Sequence, residues 1–513
     1  MNIQNKIYSS VVAVFVLLLT SCTKFEDINT NPNTTTVVSA SMLCTDVVLQ
    51  VAEFNGKDAK SYISDNALAK YVGYANEGQM GTQYNNLSNG SFGLMTVLPT
   101  VEKLLEYAEG SPMESSYKGV AKFARAYLFF KLTMEMGDIP YSETGNGESG
   151  VYKPAYDEQE FVFEQILEEL KEADQYFENG VTFNGDPTPY NGNPEKWRKA
   201  TNAFALKVLM TLSKKVGNSV VDVKDRFASI VSEGNLLTVT TGYFGLEYST
   251  LNPHPLSGTK DLFTSKTILS ALLVDELKKL KDRRLFYFGE PAGAEITAEI
   301  TAGKTADDFD AYVGVDTSVE YAVMNANHNA NVYSLLNERY LKENASEPRM
   351  LITYAEQQFI LAEGIIKGWI ATGAAQAYYQ QGVKSILESF IGRSVGASHG
   401  VVIDQTYVDG YFTGDAAFKS DVDSQLKQIW MQRYLLNFMQ DSESSYFEYR
   451  RNQYPIFPIN VNTSLNDNNK SAVPVRWLYP TTETSYNQEN LIKALDRQFG
   501  GFDEINQVMW LLK

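Results

Sequence analysis

Three histidines are the first place to look for chemistry in this chain, and their setting offers none. His254, His328 and His399 are widely separated, and none lies in an H-E-x-x-H context that would put two imidazoles on one metal. No nucleophile elbow and no Walker-type phosphate loop is apparent. With 62 acidic residues, a carboxylate pair at glycosidase spacing (about 5 Å or roughly 6.5–9.5 Å) is available by chance, so it would not itself indicate hydrolysis. Runs such as Glu168-Glu169 read as solvated helix faces. Asp307-Asp308-Phe309-Asp310 lacks the glycine and terminal glutamate of a calcium loop and reads as an acidic turn. No enzyme activity, cofactor or metal is therefore expected. Non-covalent capture fits better, because flat aromatic rings ringed by amides match the apolar faces and hydroxyl edges of sugars. Tyr74, Asn76, Gln79, Gln83, Tyr84 and Asn85 supply that combination in one glycine-punctuated loop. A second candidate runs from Tyr243 to His254, and a third from Tyr312 to Tyr333 with Asn325, Asn327 and Asn329. The alternative for each is a self-satisfied loop with Asn in turns.

The elements that would position these loops are helical. Phe163, Ile166, Leu167, Leu170, Ala173 and Phe177 lie on one helix face, and Ile352, Ala355, Phe359, Ala362 and Ile366 on another. Helices are predicted at about 41–54, 59–75, 94–109, 115–136, 158–178, 195–216, 222–233, 265–280, 349–367 and 374–391, with another around Leu426–Phe438. They come in pairs, with small residues such as Ala121, Ala124, Ala200, Ala203, Ala355 and Ala362 on the first member, permitting close approach. This resembles degenerate tetratricopeptide units, and implies an all-α fold of stacked helix pairs. The segments 76–93, 137–157, 234–264, 287–348, 391–425 and 452–513 show little helical signal, and loops of such length are usually functional.

The N-terminus sets the address. Lys6 precedes an apolar run from Ile7 to Leu19, about 13 residues against the roughly 20 needed to span a bilayer, so it reads as a secretory segment. Ser21 before Cys22 resembles a bacterial lipobox, which implies cleavage after residue 21 and lipidation of Cys22. Residues 22–40 read as a flexible tether, and 41–513 as one helical domain. Lys24 with Glu26-Asp27 resembles the surface-export signal of lipoproteins of the Bacteroidetes group. With Cys22 lipidated, Cys44 has no disulfide partner and reads as a small buried hydrophobe. A net charge of -18 disfavours nucleic acid.

Seven short motifs, in order, resemble the SusD/RagB family of outer-membrane nutrient-binding lipoproteins, in its SusD-like, starch-binding-associated branch. They are Cys22 to Asn33; Gly137-Asp138-Ile139-Pro140-Tyr141 with Pro154 to Asp157; Lys281-Asp282-Arg283-Arg284-Leu285; Glu347-Pro348-Arg349-Met350 leading to Leu361-Ala362-Glu363; Tyr449-Arg450-Arg451-Asn452-Gln453-Tyr454-Pro455; Val473 to Pro480; and Gly500-Gly501-Phe502-Asp503. Arg283 and Asn452 depart from the usual proline and threonine. The resemblance implies four tetratricopeptide-like units, an outer-membrane lipid anchor facing the exterior, and a SusC-like TonB-dependent transporter as partner. It further implies that oligosaccharide, or peptide in some members, is captured unaltered; a subunit serving only transporter assembly is the alternative.

Overall fold

The computed structural model describes residues 38–53, 58–258, 263–297 and 303–513, so Cys22, the secretory segment and all but the last residues of the tether lie outside the described residues. The chain is mostly helical. Helices of nine or more residues are labelled here: α1 (Ala40–Ala52), α2 (Ala59–Leu68), α3 (Leu98–Ala108), α4 (Glu114–Met136), α5 (Gln159–Glu178), α6 (Pro194–Thr211), α7 (Val223–Glu233), α8 (Ala271–Lys279), α9 (Tyr321–Asn329), α10 (Tyr354–Ile366), α11 (Ala375–Glu388), α12 (Val422–Asn437), α13 (Ser442–Asn452) and α14 (Gln488–Phe499). Four short strands form two antiparallel pairs: β1 (Val72–Tyr74) with β3 (Thr267–Leu269), and β2 (Tyr243–Leu246) with β4 (Arg349–Thr353).

Successive helices pack as the periodicity predicts, α4 on α5, α5 on α6 and α10 on α11. The apolar face of α5 is buried over Phe163, Ile166, Leu167, Leu170, Ala173 and Phe177. Alanine is not the closest-approach residue, however. A Cβ at Gly119 of α4 would lie 2.8 Å from the Phe177 ring of α5, and one at Gly382 of α11 would lie 2.7 Å from Phe359 of α10. Each pair is thus seated by an aromatic ring in a glycine notch.

Three predicted helices begin or end differently. The helix expected over 59–75 stops at Leu68, because Lys70 takes a positive φ of 59° and Val72 to Tyr74 pair with β3. The ones expected from 265 and 349 each open with a strand. Ser270 and Thr353 then cap α8 and α10, their side chains accepting from Leu273 N and Glu356 N. Segment 452–513, which has little apolar period, nevertheless holds α14.

The family-like motifs largely supply ion pairs with at least one buried partner. Asp138 meets Arg497 at 2.5 Å, Arg284 meets Asp282 at 2.6 Å, Arg339 meets Glu347 at 2.7 Å and Arg476 meets Asp503 at 2.6 Å. Arg451 meets Glu363 at 2.6 Å and also Glu448 at 2.7 Å. Arg450 donates to the carbonyls of Val475 and Met134. The two arginines stand in the last turn of α13 and act structurally, through buried partners. Arginine suits this role because its planar fork satisfies several acceptors at once.

Candidate functional site: an amide ledge

Strand β1 delivers the chain into residues 75–86, and this segment lies against α9. Asn76 N donates to Asn325 Oδ1 at 3.0 Å, and Asn76 Nδ2 to Asn329 Oδ1 at 2.8 Å. Gly78 N donates to Tyr321 Oη at 2.8 Å. The first and third candidate loops therefore form one surface. Beneath it sits a small apolar kernel, Ala75, Ile268, Val315 and Met324, distinct from the main core. The second candidate is elsewhere: Tyr243 lies in β2, paired with Thr353, and His254 is buried against Tyr62, Tyr248 and Tyr340.

The six loop residues divide by exposure. Asn76 and Gln79 are exposed, and Asn86 and Asn329 join them on the rim, with Tyr321 and Tyr333 half-buried. Tyr74, Gln83, Tyr84 and Asn85 are buried. Gln83 Oε1 accepts from Tyr74 N at 3.0 Å while its Nε2 donates to Thr317 O at 3.1 Å. Tyr84 Oη donates to Val319 O at 3.0 Å. Tyr74 Oη is buried without a hydrogen-bond partner, and burial, then nearby Glu77, pushes its phenol up to about 12. These four side chains hold the ledge from below.

Lys70 completes that support. Its buried ammonium donates to Gln83 O at 2.6 Å, Asn85 Oδ1 at 2.8 Å and Thr82 O at 3.4 Å. All three acceptors are neutral, and burial pushes its pKa down to about 7. Sequence reasoning passed over Lys70; the signal was a lone lysine inside the small, apolar run Ala67-Leu68-Ala69-Lys70-Tyr71-Val72.

The ledge thus offers a row of side-chain amides, each able to donate and accept, beside two tyrosine rings. That arrangement suits the paired donor and acceptor edges of sugar hydroxyls.

Groups with nucleophilic or acid–base potential are committed elsewhere. Burial pushes the Cys44 thiol far above its ordinary value. His254 is pushed down to about 3 by burial and by Arg339 and Arg349. The pentapeptides Gly392 to Gly396 and Gly396 to Gly400 do spell G-x-S-x-G, contrary to the expectation that no elbow is present. Their context is not an elbow: they follow α11 through turns and a short 3₁₀ segment, with no strand before them. Ser394 Oγ donates to Glu343 and Ser398 Oγ to Val395 O, so neither hydroxyl is held by a histidine. Asp308 caps its own turn and Asp310 pairs with Lys278. Among the described residues no helix is long and apolar enough to cross a membrane.

Comparison with known proteins returns a consistent relationship. Residues 32–480 match the family model SusD-like_2, described as starch-binding and associating with the outer membrane. A SusD homolog from Bacteroides fragilis NCTC 9343 is 36% identical with a TM-score of 0.87, covering 93% of this chain and 100% of its own. A second SusD homolog from the same organism is 32% identical with a TM-score of 0.79 and the same coverage. A chitin-binding protein shares the fold at 21% identity, with a TM-score of 0.72, over 92% of this chain and 99% of its own. No curated protein sequence matches the chain. A family match over most of the length, on a mostly helical scaffold, places the chain in the SusD-like family of nutrient-binding proteins associated with the outer membrane.

Proposed function

We propose that this protein captures oligosaccharide on the amide ledge and passes it unaltered to a SusC-like TonB-dependent outer-membrane transporter. In this reading Cys22 carries the lipid anchor, residues 22–40 tether the chain, and 41–513 form one domain facing the exterior. The observation that carries the reading is the convergence of side-chain amides from two distant segments over one surface, exposed at Asn76, Gln79 and Asn329 and half-buried at Asn325. Lys70, Gln83, Tyr84 and Asn85 beneath them are buried and hydrogen-bonded, so the ledge is preorganised, which reduces the ordering cost of binding. The commitment of Cys44, His254, Ser394 and Ser398 to internal contacts favours capture over chemistry.

Calorimetry of the purified chain against classes of oligosaccharide tests the proposal. Saturable binding that falls at least tenfold in Asn76→Ala supports it. A chain that binds neither glycan nor peptide yet co-purifies with a barrel points to an assembly subunit. Release of shortened sugars from a bound glycan would identify a hydrolase. Labelled palmitate on the wild type but not on Cys22→Ala tests the anchor.

A further inference from the structure

A second polar feature lies away from the ledge. Between α1, α2, α4, β4 and the start of α13 is a cavity of about 460 Å³, within the range of small-molecule sites. Gln50, Asp65, Lys131, Glu135, Arg349 and Glu443 line it. Gln50, Asp65, Lys131, Glu135 and Glu443 are each half-buried, so the space is reached from solvent.

Its charges cancel. Lys131 Nζ lies 2.9 Å from Glu443 Oε2. Asp441, also at the wall, is occupied by Ser444 at 2.5 Å and Lys207 at 3.4 Å. Burial, then Glu443, raises the Glu135 carboxyl well above the ordinary range, and the same two causes raise Asp65 to about 7. With Glu443 paired to Lys131 and the Asp65 and Glu135 carboxyls both raised beside Arg349, no strong excess of either sign remains, which favours neither a net anion nor a net cation.

Hydrogen-bonding capacity remains unused. Among the described residues nothing donates to the Asp65 carboxyl, and the Gln50 amide has no partner. Lys131 spends one of three N–H groups on Glu443. Polar groups in such a recess demand partners, and they are met by water or by a ligand of matching hydroxyl density.

We infer that this cavity is a second binding site, one that takes a neutral hexose ring, with Asp65 and Glu443 accepting from its hydroxyls and Lys131 and Gln50 donating to them. The inference rests on the reading of the chain as a sugar-capturing protein, but it concerns a different set of residues from the ledge.

Saturation-transfer NMR on the full chain with glucose, galactose and galacturonate tests it. Saturable binding of a neutral hexose, weakened at least tenfold by Asp65→Asn and by Lys131→Met but unchanged by Asn76→Ala, is expected, with no binding of galacturonate. Galacturonate binding as tightly as the hexoses would overturn the neutral-ring assignment. Hexose binding indifferent to both cavity substitutions would overturn the site. A chain that binds oligosaccharide through Asn76 but no free hexose would sink the cavity alone and leave the ledge standing; failure of both ligands would sink both. If Asp65→Asn or Lys131→Met does not fold, a crystal of the wild type soaked in the hexose decides. Density in the cavity supports the site, and density only elsewhere overturns it.

Discussion

Asn76 and Asn329 face each other side chain to side chain at 2.8 Å although 253 residues separate them. The pair is exposed, so its bond is exchanged readily for one to a ligand. Tyr84, a few residues on, is the opposite case: its ring is buried and its hydroxyl is spent on Val319 O.

These two positions should therefore separate binding from stability. Asn76→Ala is expected to weaken oligosaccharide binding about tenfold, some 1–1.5 kcal/mol, with a melting temperature close to the wild type's. Tyr84→Ala should instead cost about 3–5 kcal/mol of stability through the cavity it leaves. Calorimetry and thermal unfolding on the same samples check both; equal melting temperatures would show that Tyr84 does not support the ledge.

Glu363 anchors Arg451, and it also takes the Trp430 indole N–H at 3.1 Å. Burial would raise its carboxyl, but Arg451, Arg433 and Lys367 together hold it down to about 2, against an ordinary 4.5. A depressed folded value means that its contribution is complete above about 4.5 and is lost as the pH falls toward 2. Glu363→Gln should cost about 3–5 kcal/mol at neutral pH, since it strands buried guanidinium groups. Its deficit should shrink in acid, measurable as converging denaturation midpoints.

Lys70 has the opposite pH sign. Its pKa falls from 10.5 unfolded to about 7 folded, so between those values the unfolded chain holds the extra proton. Stability then rises with pH across that window. Relative to Lys70→Met, the wild type should gain stability from pH 7 toward 10. A parallel pair of curves would mean that the three carbonyl acceptors keep the ammonium charged throughout.

Gly382→Ala tests the notch. The added methyl would sit 2.7 Å from Phe359, in a pair with little slack, and should cost about 1–3 kcal/mol. Phe359→Leu in the same chain should recover part of that loss, as a double-mutant cycle would show.

The helices were legible where one apolar face is long and regular, as on α5 and α11, since burial enforces that period. Boundaries at Lys70, Ser270 and Thr353 were not, because a two-residue switch from strand to cap leaves no periodic trace. α14 escaped notice because its buried face is short: Leu491, Ala494, Leu495 and Phe499 stand among charged neighbours. Within the candidate site, residue type pointed to the two segments, and the meeting of 76–86 with 321–333 needed the tertiary structure. Exposure was the least readable property, for tyrosines and amides in a loop look alike in sequence whether they hold it up or face outward. The polar cavity left no sequence signal, since Asp65, Lys131 and Glu443 come from three separate helices.

The little kernel of Ala75, Ile268, Val315 and Met324 has an evolutionary corollary. A crest that folds over its own apolar seed can trade its outward amides for other side chains without disturbing the trunk of stacked coils. Relatives sharing the same buried arginine pairs would then be free to diverge in what they grip, and the trunk would be a poor guide to diet.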